Sequence, residues 1–208
     1  MAFLLGLTGN IACGKSSVGE LLARRHAADY VDADRVVHSL YAAGTQETRA
    51  IAERFGAALL QADGTIDRRR LGDIVMADPA ALKDLETLLD PGIRRAIEAR
   101  IASSPAEVVV LDAIRLIEGG LYLRCNAVWV VVCERDLQVA RLQVTRNLSA
   151  AQAELRVAAQ TPVDNKLRHA HAVITNSGTR EELESQVAAA WDHTVRPALE
   201  AGGQPEAP

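Results

Sequence analysis

The chain has 208 residues, 49% of them hydrophobic, and a formal net charge of −4. This length predicts one domain, or one domain with insertions, that buries a substantial apolar core. No apolar run approaches the roughly 18 residues of a membrane span, and the N-terminus lacks the pattern of a secretory leader. The acidic balance gives no general reason to expect a nucleic-acid partner, and the three cysteines lack the spacing of a metal site. We therefore expect a cytoplasmic protein that works without nucleic acid or membrane.

Short continuous apolar runs alternate with helical patterns from the N-terminus onward. The first run, Phe3–Thr8, predicts a buried strand, and apolar residues at helical spacing follow it as far as His26. Runs without strict alternation are typical of parallel strands that are covered on both faces. The pattern therefore predicts an α/β fold with a five-stranded parallel sheet and right-handed crossovers. The other predicted strands are "DYVDAD" at 29–34 and the runs 107–112, 127–133 and 172–175.

Two connections are longer than a simple crossover needs. Residues 34–104 carry several helical patterns without a strand, which predicts a helical insertion beside the sheet. Residues 135–168 are arginine-bearing and helical, and they predict a second helical insertion. The tail 201–208, "AGGQPEAP", is predicted to be disordered. The predicted core is what remains, residues 1–33, 105–134 and 169–200.

Three positions carry helix start signals. Asp78 is followed by Pro79, which is typical of an N-cap with proline in the first helical turn. Ser149 and Thr179 are each followed three residues later by Gln or Glu, the pattern of a capping box. We expect helices to begin directly after all three.

The stretch "GNIACGKS" at residues 9–16 lies between the first strand and the first helix. It meets the spacing GxxxxGK[ST], in which glycines let backbone N–H groups turn toward phosphate oxygens at a helix N-terminus. Lys15 is predicted to neutralise the β- and γ-phosphates of ATP, and the Ser16 hydroxyl to hold Mg²⁺. A chance match is the alternative, but strand, loop and helix occur in the required order. The predicted nucleotide-binding residues of this loop are Gly9, Asn10, Ile11, Ala12, Cys13, Gly14, Lys15, Ser16 and Ser17.

Carboxylates follow two of the predicted strands. Asp112 ends the run "VVVL", where a strand's carboxyl end faces a nucleotide site, and it is predicted to help hold Mg²⁺. Asp32 and Asp34 follow the second strand in "VDAD", where one carboxylate would accept a proton from a hydroxyl nucleophile. The alternative for all three is a structural role, such as capping a helix that begins near Ala33.

The order of these motifs resembles the dephospho-CoA kinase family. The resemblance runs from about residue 3 to 191 and rests on "LTGNIACGKSS", "VDADRVVHSLYAAG", "ADGTIDRRRLGDIVMADP", "RVAAQTPVDNK" and "VITNSG". It implies a three-layer P-loop kinase core like that of the nucleoside monophosphate kinases. It also implies that 34–104 is a helical CoA-binding region and 135–168 a mobile lid. The implied reaction moves the γ-phosphate of ATP to the ribose 3′-hydroxyl of dephospho-CoA.

The resemblance also assigns roles to individual residues. Asp34 matches the catalytic carboxylate, with Asp32 in support, and both are implied to face the substrate. Arg141 and Arg146 fall in the lid, where guanidinium groups would clamp the transferring phosphoryl group. In the lid's second helix Arg156 and Gln160 match the family's "R…Q", and after the last strand the adenine-binding positions are Asn176, Ser177 and Gly178. The alternatives are a solvated helix face for the arginines and a turn before Thr179 for "NSG".

Several positions depart from the family pattern. In the loop, Asn10, Ala12 and Cys13 replace the usual Gly, Gly and Ser; Asn tolerates a positive φ better than Ala does. Cys13 at a helix N-terminus is either a thiol of lowered pKa or an unreactive small side chain.

Other departures surround the expected acceptor site. In "LDAIRLIEGG", Ile114 replaces proline and Arg115 replaces leucine, while Leu116 and Glu118 keep the pattern; Asp90 replaces histidine before Pro91. Arg115 is predicted to contact a substrate phosphate or to pair with Glu118. Arg115 and Glu118 complete the predicted substrate-contacting set.

The sequence thus predicts an ATP- and magnesium-dependent kinase of a small molecule, dephospho-CoA, working as a monomer or small homo-oligomer. One alternative is a kinase of the same core that acts on another hydroxyl or nucleotide acceptor. The other is a nucleotide-binding protein without catalysis, although such a protein has no need of the Asp34 carboxylate.

Overall fold

The structure, a computed structural model, describes residues 2–202. Its centre is one five-stranded sheet with the strand order β2-β3-β1-β4-β5. The strands are β1 (Phe3–Thr8), β2 (Asp29–Asp32), β3 (Val108–Asp112), β4 (Ala127–Val132) and β5 (Ala172–Thr175). Strand β1 pairs in parallel with β3 and β4, and β4 pairs in parallel with β5. The predicted α/β fold with a five-stranded parallel sheet is confirmed, and the strand ends differ from prediction by at most two residues.

Ten α-helices lie in the described residues 2–202, on both sides of the sheet and in the insertions. They are α1 (Lys15–His26), α2 (Ala33–Ser39), α3 (Gln46–Phe55), α4 (Arg68–Ala77), α5 (Pro79–Ala102), α6 (Arg135–Arg146), α7 (Ala150–Ala158), α8 (Asp164–Leu167), α9 (Arg180–Thr194) and α10 (Arg196–Glu200). None of the helices in this range is long and apolar enough to cross a membrane.

The chain forms two compact units. One contains the residues up to Val31 and from Ser104 onward, and the other is Asp32–Ser103. The second unit therefore differs by one or two residues at each end from the predicted insertion, 34–104. The predicted second insertion, 135–168, belongs to the first unit. Of the predicted disordered tail, only residues 201 and 202 are described, and 203–208 lie outside the described residues.

The core of the first unit joins the central strands to helices α1 and α9. Apolar side chains of β1, β3 and β4 are buried, except Val132 at the end of β4, as the continuous apolar runs predict. Trp129 of β4 is fully buried, and its indole N–H donates to the hydroxyl of Thr194 at 2.9 Å. His26 at the end of α1 stacks on Trp191 of α9, with ring centroids 3.7 Å apart. These contacts fix the helix that carries the GxxxxGK[ST] motif.

The second unit has a core of its own. Helices α3, α4 and α5 surround a cluster of buried aliphatic residues, Ile51, Leu59, Ile66, Leu71, Val75, Ala81, Leu85 and Leu89. Pro91 lies inside α5, and the next residue, Gly92, faces the carboxylate of Glu47 so closely that a Cβ would lie 2.2 Å from Oε1. Glu47 in turn accepts from Arg95 at 2.9 Å. The kink-prone Pro-Gly pair is thus held by a side chain from α3.

The predicted helix starts are confirmed. The carboxylate of Asp78 accepts from the Ala80 N–H at 2.8 Å, with Pro79 as the first residue of α5. Ser149 is the N-cap of α7 and Thr179 is the N-cap of α9, and both form complete capping boxes. These local signals need no tertiary contact, which is why the sequence alone located them.

Candidate active site

The GxxxxGK[ST] motif forms a loop between β1 and α1. Gly14 is the N-cap of α1 in a left-handed conformation, φ 93°, and no side chain caps the helix, so its first N–H groups stay available to an anion. A Cβ on Gly14 would lie 1.9 Å from Nδ2 of Asn176, and one on Gly9 would lie 2.2 Å from the carbonyl oxygen of Val131. Both glycines of the motif are therefore required by close packing as well as by backbone conformation.

The third loop position of positive φ is Ala12, at φ 57°. Asn10, whose side-chain type tolerates that conformation better, does not adopt it. The Asn10 side chain instead donates from Nδ2 to the carbonyl oxygen of Thr161 at 3.2 Å. Its Oδ1 is buried without a hydrogen-bond partner within residues 2–202. Replacement of the usual glycines thus leaves one strained residue and one side chain that links the loop to the lid.

The polar side chains after Gly14 are available to phosphate. Lys15 donates from Nζ to the Gly9 carbonyl oxygen at 3.3 Å, which brings the ammonium group back across the loop. Ser16 and Ser17 are exposed in the first turn of α1. This short stretch of chain thus provides one cation, two hydroxyl groups and helix N–H groups that can bind phosphate.

Cys13 is fully buried in the core of the first unit. Burial raises the pKa of its thiol, and the nearby charge of Lys15 only partly opposes this. A thiol of raised pKa is a poor nucleophile. A lowered pKa at this helix N-terminus is wrong because desolvation outweighs the electrostatic effect of the lysine, and the raised pKa favours the alternative of an unreactive small side chain.

Arg141 of α6 and Asn176, which follows β5, both form hydrogen bonds to backbone carbonyl groups of the loop. Arg141 Nη1 donates to the carbonyl oxygens of Ala12 and Cys13, both at 3.3 Å, and Nη2 donates to the Asn176 carbonyl oxygen at 2.9 Å. The Asn176 side chain donates to the Cys13 carbonyl oxygen at 2.9 Å. These hydrogen bonds hold the carbonyl groups of Ala12 and Cys13 and so stabilise the curved backbone of the loop. Neighbouring Ser177 accepts from the Glu134 N–H at 3.0 Å, and Gly178 packs against Glu182.

The residues predicted to form a lid, 135–168 and called the lid below, comprise α6, α7 and the residues that follow. Its small core, Val139, Leu142 and Ala153, also contacts Ile11 and Ala12 of the loop.

The Ile11 N–H donates to Gln160 Oε1 at 3.2 Å. Gln160 lies beyond α7, which ends at Ala158, so its predicted place in the lid's second helix is wrong; Arg156 does lie in that helix. Arg146, the last residue of α6, is exposed.

The carboxylates predicted for chemistry have different surroundings. Asp112 is the last residue of β3, is 7% exposed, and accepts from the Tyr30 hydroxyl at 2.5 Å. Asp32 is the N-cap of α2 and accepts from the N–H groups of Asp34 and Arg35 at 2.9 and 3.2 Å. The capping alternative therefore applies to Asp32. Asp34 is exposed, and within the described residues its carboxylate has no hydrogen bond or ion pair.

Lys166 and Glu118 form an ion pair in which the lysine is buried and the carboxylate is partly exposed. Lys166 is 1% exposed, and its Nζ donates to both carboxylate oxygens of Glu118, at 2.7 and 3.0 Å, and to the Ile114 carbonyl oxygen at 2.6 Å. Burial acts to raise the pKa of Glu118, but the hydrogen bonds and charge of Lys166 outweigh it and lower that pKa. Thr8 donates to the same Ile114 carbonyl oxygen at 3.2 Å. The predicted substrate contact Glu118 thus has Lys166 as its partner, while Arg115 is exposed.

Comparison with known proteins identifies the family. A family model described as dephospho-CoA kinase matches residues 3–182. The chain belongs to the dephospho-CoA kinase family. It is similar to dephospho-CoA kinases of Geobacter metallireducens and Geobacter sulfurreducens, at 43% and 42% identity. These alignments cover 92% and 90% of this chain, and 96% of each relative. The ATP-dependent kinase predicted from the motifs is confirmed.

Solved structures show the same fold. TT1252 from Thermus thermophilus matches with a TM-score of 0.76 and 28% identity, covering 98% of both chains. Dephospho-CoA kinase from Campylobacter jejuni matches with a TM-score of 0.68 and 24% identity, covering 98% of this chain and all of its own. At that identity the second match is evidence of the fold alone.

The departures from the family pattern have local explanations. Ile114 stands where the family has proline, but the network uses its backbone carbonyl, which any residue supplies. Asp90 accepts from Arg94 one turn later in α5, at 2.8 Å. Neither substitution removes a side-chain contact seen in its own unit.

Four residues of this region were absent from the predicted site. Tyr30, Thr161 and Lys166 contact the predicted site residues Asp112, Asn10 and Glu118, and Thr8 donates to Ile114 beside Arg115. A signal existed only for Lys166, which is one of three lysines in the chain and ends the motif "RVAAQTPVDNK". Tyr30 and Thr8 lie in strands, where a sequence pattern predicts burial but not which partner a hydroxyl meets.

The residues predicted to hold magnesium fit that ion. Ser16 and Asp112 offer oxygen donors, the type that Mg²⁺ takes in nucleotide sites. Leu7 pairs with Asp112 in the sheet, so this carboxylate lies beside the strand that leads into the loop. ATP and Mg²⁺ are the co-substrate and metal of the family.

Proposed function

We propose that the chain transfers the γ-phosphoryl group of ATP to the ribose 3′-hydroxyl of dephospho-CoA, giving coenzyme A and ADP. The observation that carries the proposal is the loop whose carbonyl groups are engaged by Arg141 and Asn176, with the uncapped N–H groups at the start of α1 and Lys15 beside it for phosphate oxygens. Family membership over residues 3–182 supplies the identity of the acceptor.

The residues of the loop bind the donor. The N–H groups at the start of α1 and the ammonium group of Lys15 receive the β- and γ-phosphates, which fixes the transferring group in line. Ser16 and Asp112 would hold magnesium, which would supply positive charge beside the phosphate oxygens. Asn176 and Gly178 border the adenine end of the site, after β5.

Asp34 is the proposed general base. It follows β2 by two residues and is exposed. Its N–H donates to the capping carboxylate of Asp32, and its own carboxylate remains for substrate. A carboxylate within reach of the 3′-hydroxyl accepts the proton as the oxygen attacks phosphorus. Asp32 is proposed to affect the reaction indirectly, because its carboxylate caps the start of α2, the helix that contains Asp34.

The arginines divide between two roles in this proposal. Arg141 shapes the loop, since its guanidinium group bonds to three backbone carbonyls. Arg146 is exposed at the end of the same helix and is proposed to contact the transferring phosphoryl group when the lid closes. Arg115, also exposed, is proposed to contact a phosphate of the acceptor. Lid closure excludes water, which would compete with the ribose hydroxyl.

We propose further that the unit Asp32–Ser103 binds the acceptor and that α6, α7 and the residues up to 168 form the mobile lid. The protein is proposed to act in the cytoplasm on a small molecule, as a monomer or small homo-oligomer, without a nucleic-acid partner. Light scattering of the purified protein measures the oligomeric state directly.

The decisive experiment measures ADP release with Mg·ATP and four conditions: dephospho-CoA, adenosine, AMP and no acceptor. Mass spectrometry and ³¹P NMR then identify the product. We expect rapid ADP release with dephospho-CoA alone and a product that carries one more phosphoryl group, on the 3′-oxygen. Phosphorylation of adenosine or AMP in preference to dephospho-CoA would contradict the acceptor, and ATP binding without any turnover would contradict the kinase itself.

A further inference from the structure

Lys166 is a buried cation for which the proposed chemistry has no use. It lies in α8, a four-residue helix near the end of the lid, and it is 1% exposed. Taking an ammonium group out of water is costly, and an ion pair with the partly exposed carboxylate of Glu118 offsets only part of that cost. Its contacts therefore need a reason other than stability.

Those contacts converge on the segment that follows β3. Residues 114–120 are a series of turns, with backbone hydrogen bonds from Gly119 to Arg115 and from Gly120 to Ile117. A segment of turns has no sheet or helix to fix its position, so side-chain anchors decide where it lies. Lys166 provides such an anchor through the Ile114 carbonyl and both oxygens of Glu118.

The same carbonyl oxygen joins this anchor to the phosphate loop. Thr8, which is fully buried and directly precedes Gly9, also donates to the carbonyl of Ile114. On the other side, Lys166 follows Thr161 by five residues, and Thr161 accepts from Asn10 of the loop. Three parts of the chain meet at Lys166: the start of the loop, the segment after Asp112, and the end of the lid.

We propose that Lys166 is a positioning residue that fixes the segment after β3 against the end of the lid, so that phosphoryl transfer goes to the acceptor hydroxyl and not to water. The proposal rests on the proposed function and adds a determinant of it. Loss of the ammonium group frees Glu118 and loosens the turns that carry Arg115. The closed lid then excludes water less completely, while the N–H groups that bind the donor phosphates are untouched.

The test compares Lys166→Met, Lys166→Arg and the double variant Lys166→Met/Glu118→Gln with the unchanged protein. Each is assayed for coenzyme A formed, for inorganic phosphate released with and without dephospho-CoA, and for ADP affinity by calorimetry. Arg196→Met is the matched control, because it removes a cation from an exposed ion pair with Asp192. Assays are run well below the melting temperature of every variant.

We expect Lys166→Met to lower kcat for coenzyme A formation by about 10- to 100-fold, the range that misplacement of a reacting group produces. The ratio of phosphate released to coenzyme A formed rises about tenfold, and ADP affinity changes by less than about twofold. Lys166→Arg restores part of the ratio because it keeps a donor cation. The double variant, which has no unpaired carboxylate, is as stable as the control but keeps the raised ratio.

A merely structural role for Lys166 predicts a different pattern. Transfer and hydrolysis would fall together in proportion to the folded fraction, and the double variant would recover both; that result overturns the proposal. If the unchanged protein forms no coenzyme A, the proposed function fails by itself. The inference is then decided by ATP hydrolysis alone, which must rise in Lys166→Met for the positioning role to stand.

Discussion

The guanidinium group of Arg141 and the side-chain amide of Asn176 both donate to the carbonyl oxygen of Cys13, at 3.3 and 2.9 Å. Cys13 precedes Gly14, the N-cap of the helix that would receive the phosphates. Because a peptide unit is planar, holding the Cys13 carbonyl on one side directs the Gly14 N–H to the other. Arg141 belongs to the lid and Asn176 follows β5, so two distant parts of the chain set the direction of one backbone donor.

Removing this support is expected to weaken donor binding. Arg141→Met deletes three hydrogen bonds to backbone carbonyls but keeps a long apolar stem. We expect the dissociation constant for ADP to rise about 10-fold or more, since hydrogen bonds from charged groups contribute about 1.5–3 kcal/mol each. Isothermal titration calorimetry measures this directly.

Arg135→Met is the control for Arg141→Met. Arg135 lies on the same helix and forms an exposed ion pair with Glu154 at 2.5 Å, outside the loop. Exposed pairs contribute little, so ADP affinity is expected to stay unchanged. Equal affinities for the Arg141 and Arg135 variants would show that the loop keeps its shape without Arg141.

Asp34→Asn is expected to separate catalysis from nucleotide binding. The amide keeps the size of the carboxylate but cannot accept a proton, so kcat falls by about 10²–10⁴-fold, the usual contribution of a general base. ADP affinity stays as in the unchanged protein, because Asp34 is proposed to touch the acceptor and not the donor. Turnover is followed by coenzyme A formation and affinity by calorimetry.

Asp32 gives the matched comparison for Asp34, two residues earlier. Asp32→Ala removes the N-cap of α2 and is expected to cost about 0.5–2 kcal/mol of unfolding free energy, measured in urea. Asp32→Asn retains capping and with it most of the stability. A larger loss of kcat in Asp32→Asn than in Asp34→Asn would reverse the roles assigned to these two carboxylates.

Ala12→Gly is expected to stabilise the protein. Ala12 has a φ of 57°, in the left-handed region where a Cβ costs about 1–2 kcal/mol and glycine has no such penalty. After subtraction of the greater chain entropy of glycine, the expected gain is about 0.5–1 kcal/mol, read from urea unfolding. The control is Ala99→Gly at an exposed position in the last turn of α5, which should lose up to about 1 kcal/mol. A loss at both positions would mean that Ala12 is not strained.

His26 is expected to make stability depend on pH. Burial lowers the pKa of His26 from 6.5; Asp192 opposes the shift, and Arg196 and Arg25 assist it. At pH values above 6.5 the imidazole is neutral in both the folded and unfolded states. As the pH falls below 6.5, the unfolded chain binds the proton first, so stability decreases until the pH passes the lowered folded pKa. Thermal unfolding between pH 7.5 and 5 measures this decrease.

His26→Phe removes the proton-binding group but keeps an aromatic ring against Trp191. The decrease in melting temperature between pH 6.5 and 5 should be smaller than in the unchanged protein. His193→Asn, at an exposed position of α9, should leave the decrease as it was. An identical pH profile in all three proteins would assign the effect to groups other than His26.

The sequence predicts the fold well where the signals are local. Continuous apolar runs located the five strands, and the caps at Asp78, Ser149 and Thr179 located three helix starts because each depends on residues within one turn. The GxxxxGK[ST] spacing located the loop because its conformation depends on its own glycines. Even the departures Asn10 and Ala12 were correctly singled out, although only Ala12 adopts a positive φ.

Partners distant in the chain were beyond the reach of sequence reasoning. Glu118 and Lys166 are 48 residues apart, and Arg141 and Ala12 are 129 apart. No periodicity or spacing links such pairs. The sequence could not predict whether the pKa of Cys13 is raised or lowered, because the direction of the shift depends on burial, which tertiary packing decides. Gln160 lies past the helix to which it was assigned, since helix ends are the least reliable part of such predictions.

The contact of Ile11 and Ala12 with Val139, Leu142 and Ala153 limits how freely parts of this protein can be exchanged with those of its relatives. These loop residues complete the apolar interior of two short helices that bury three apolar side chains of their own. Moving the helices to another chain without Ile11 and Ala12 would uncover that interior. Loop and lid would therefore have to be exchanged together.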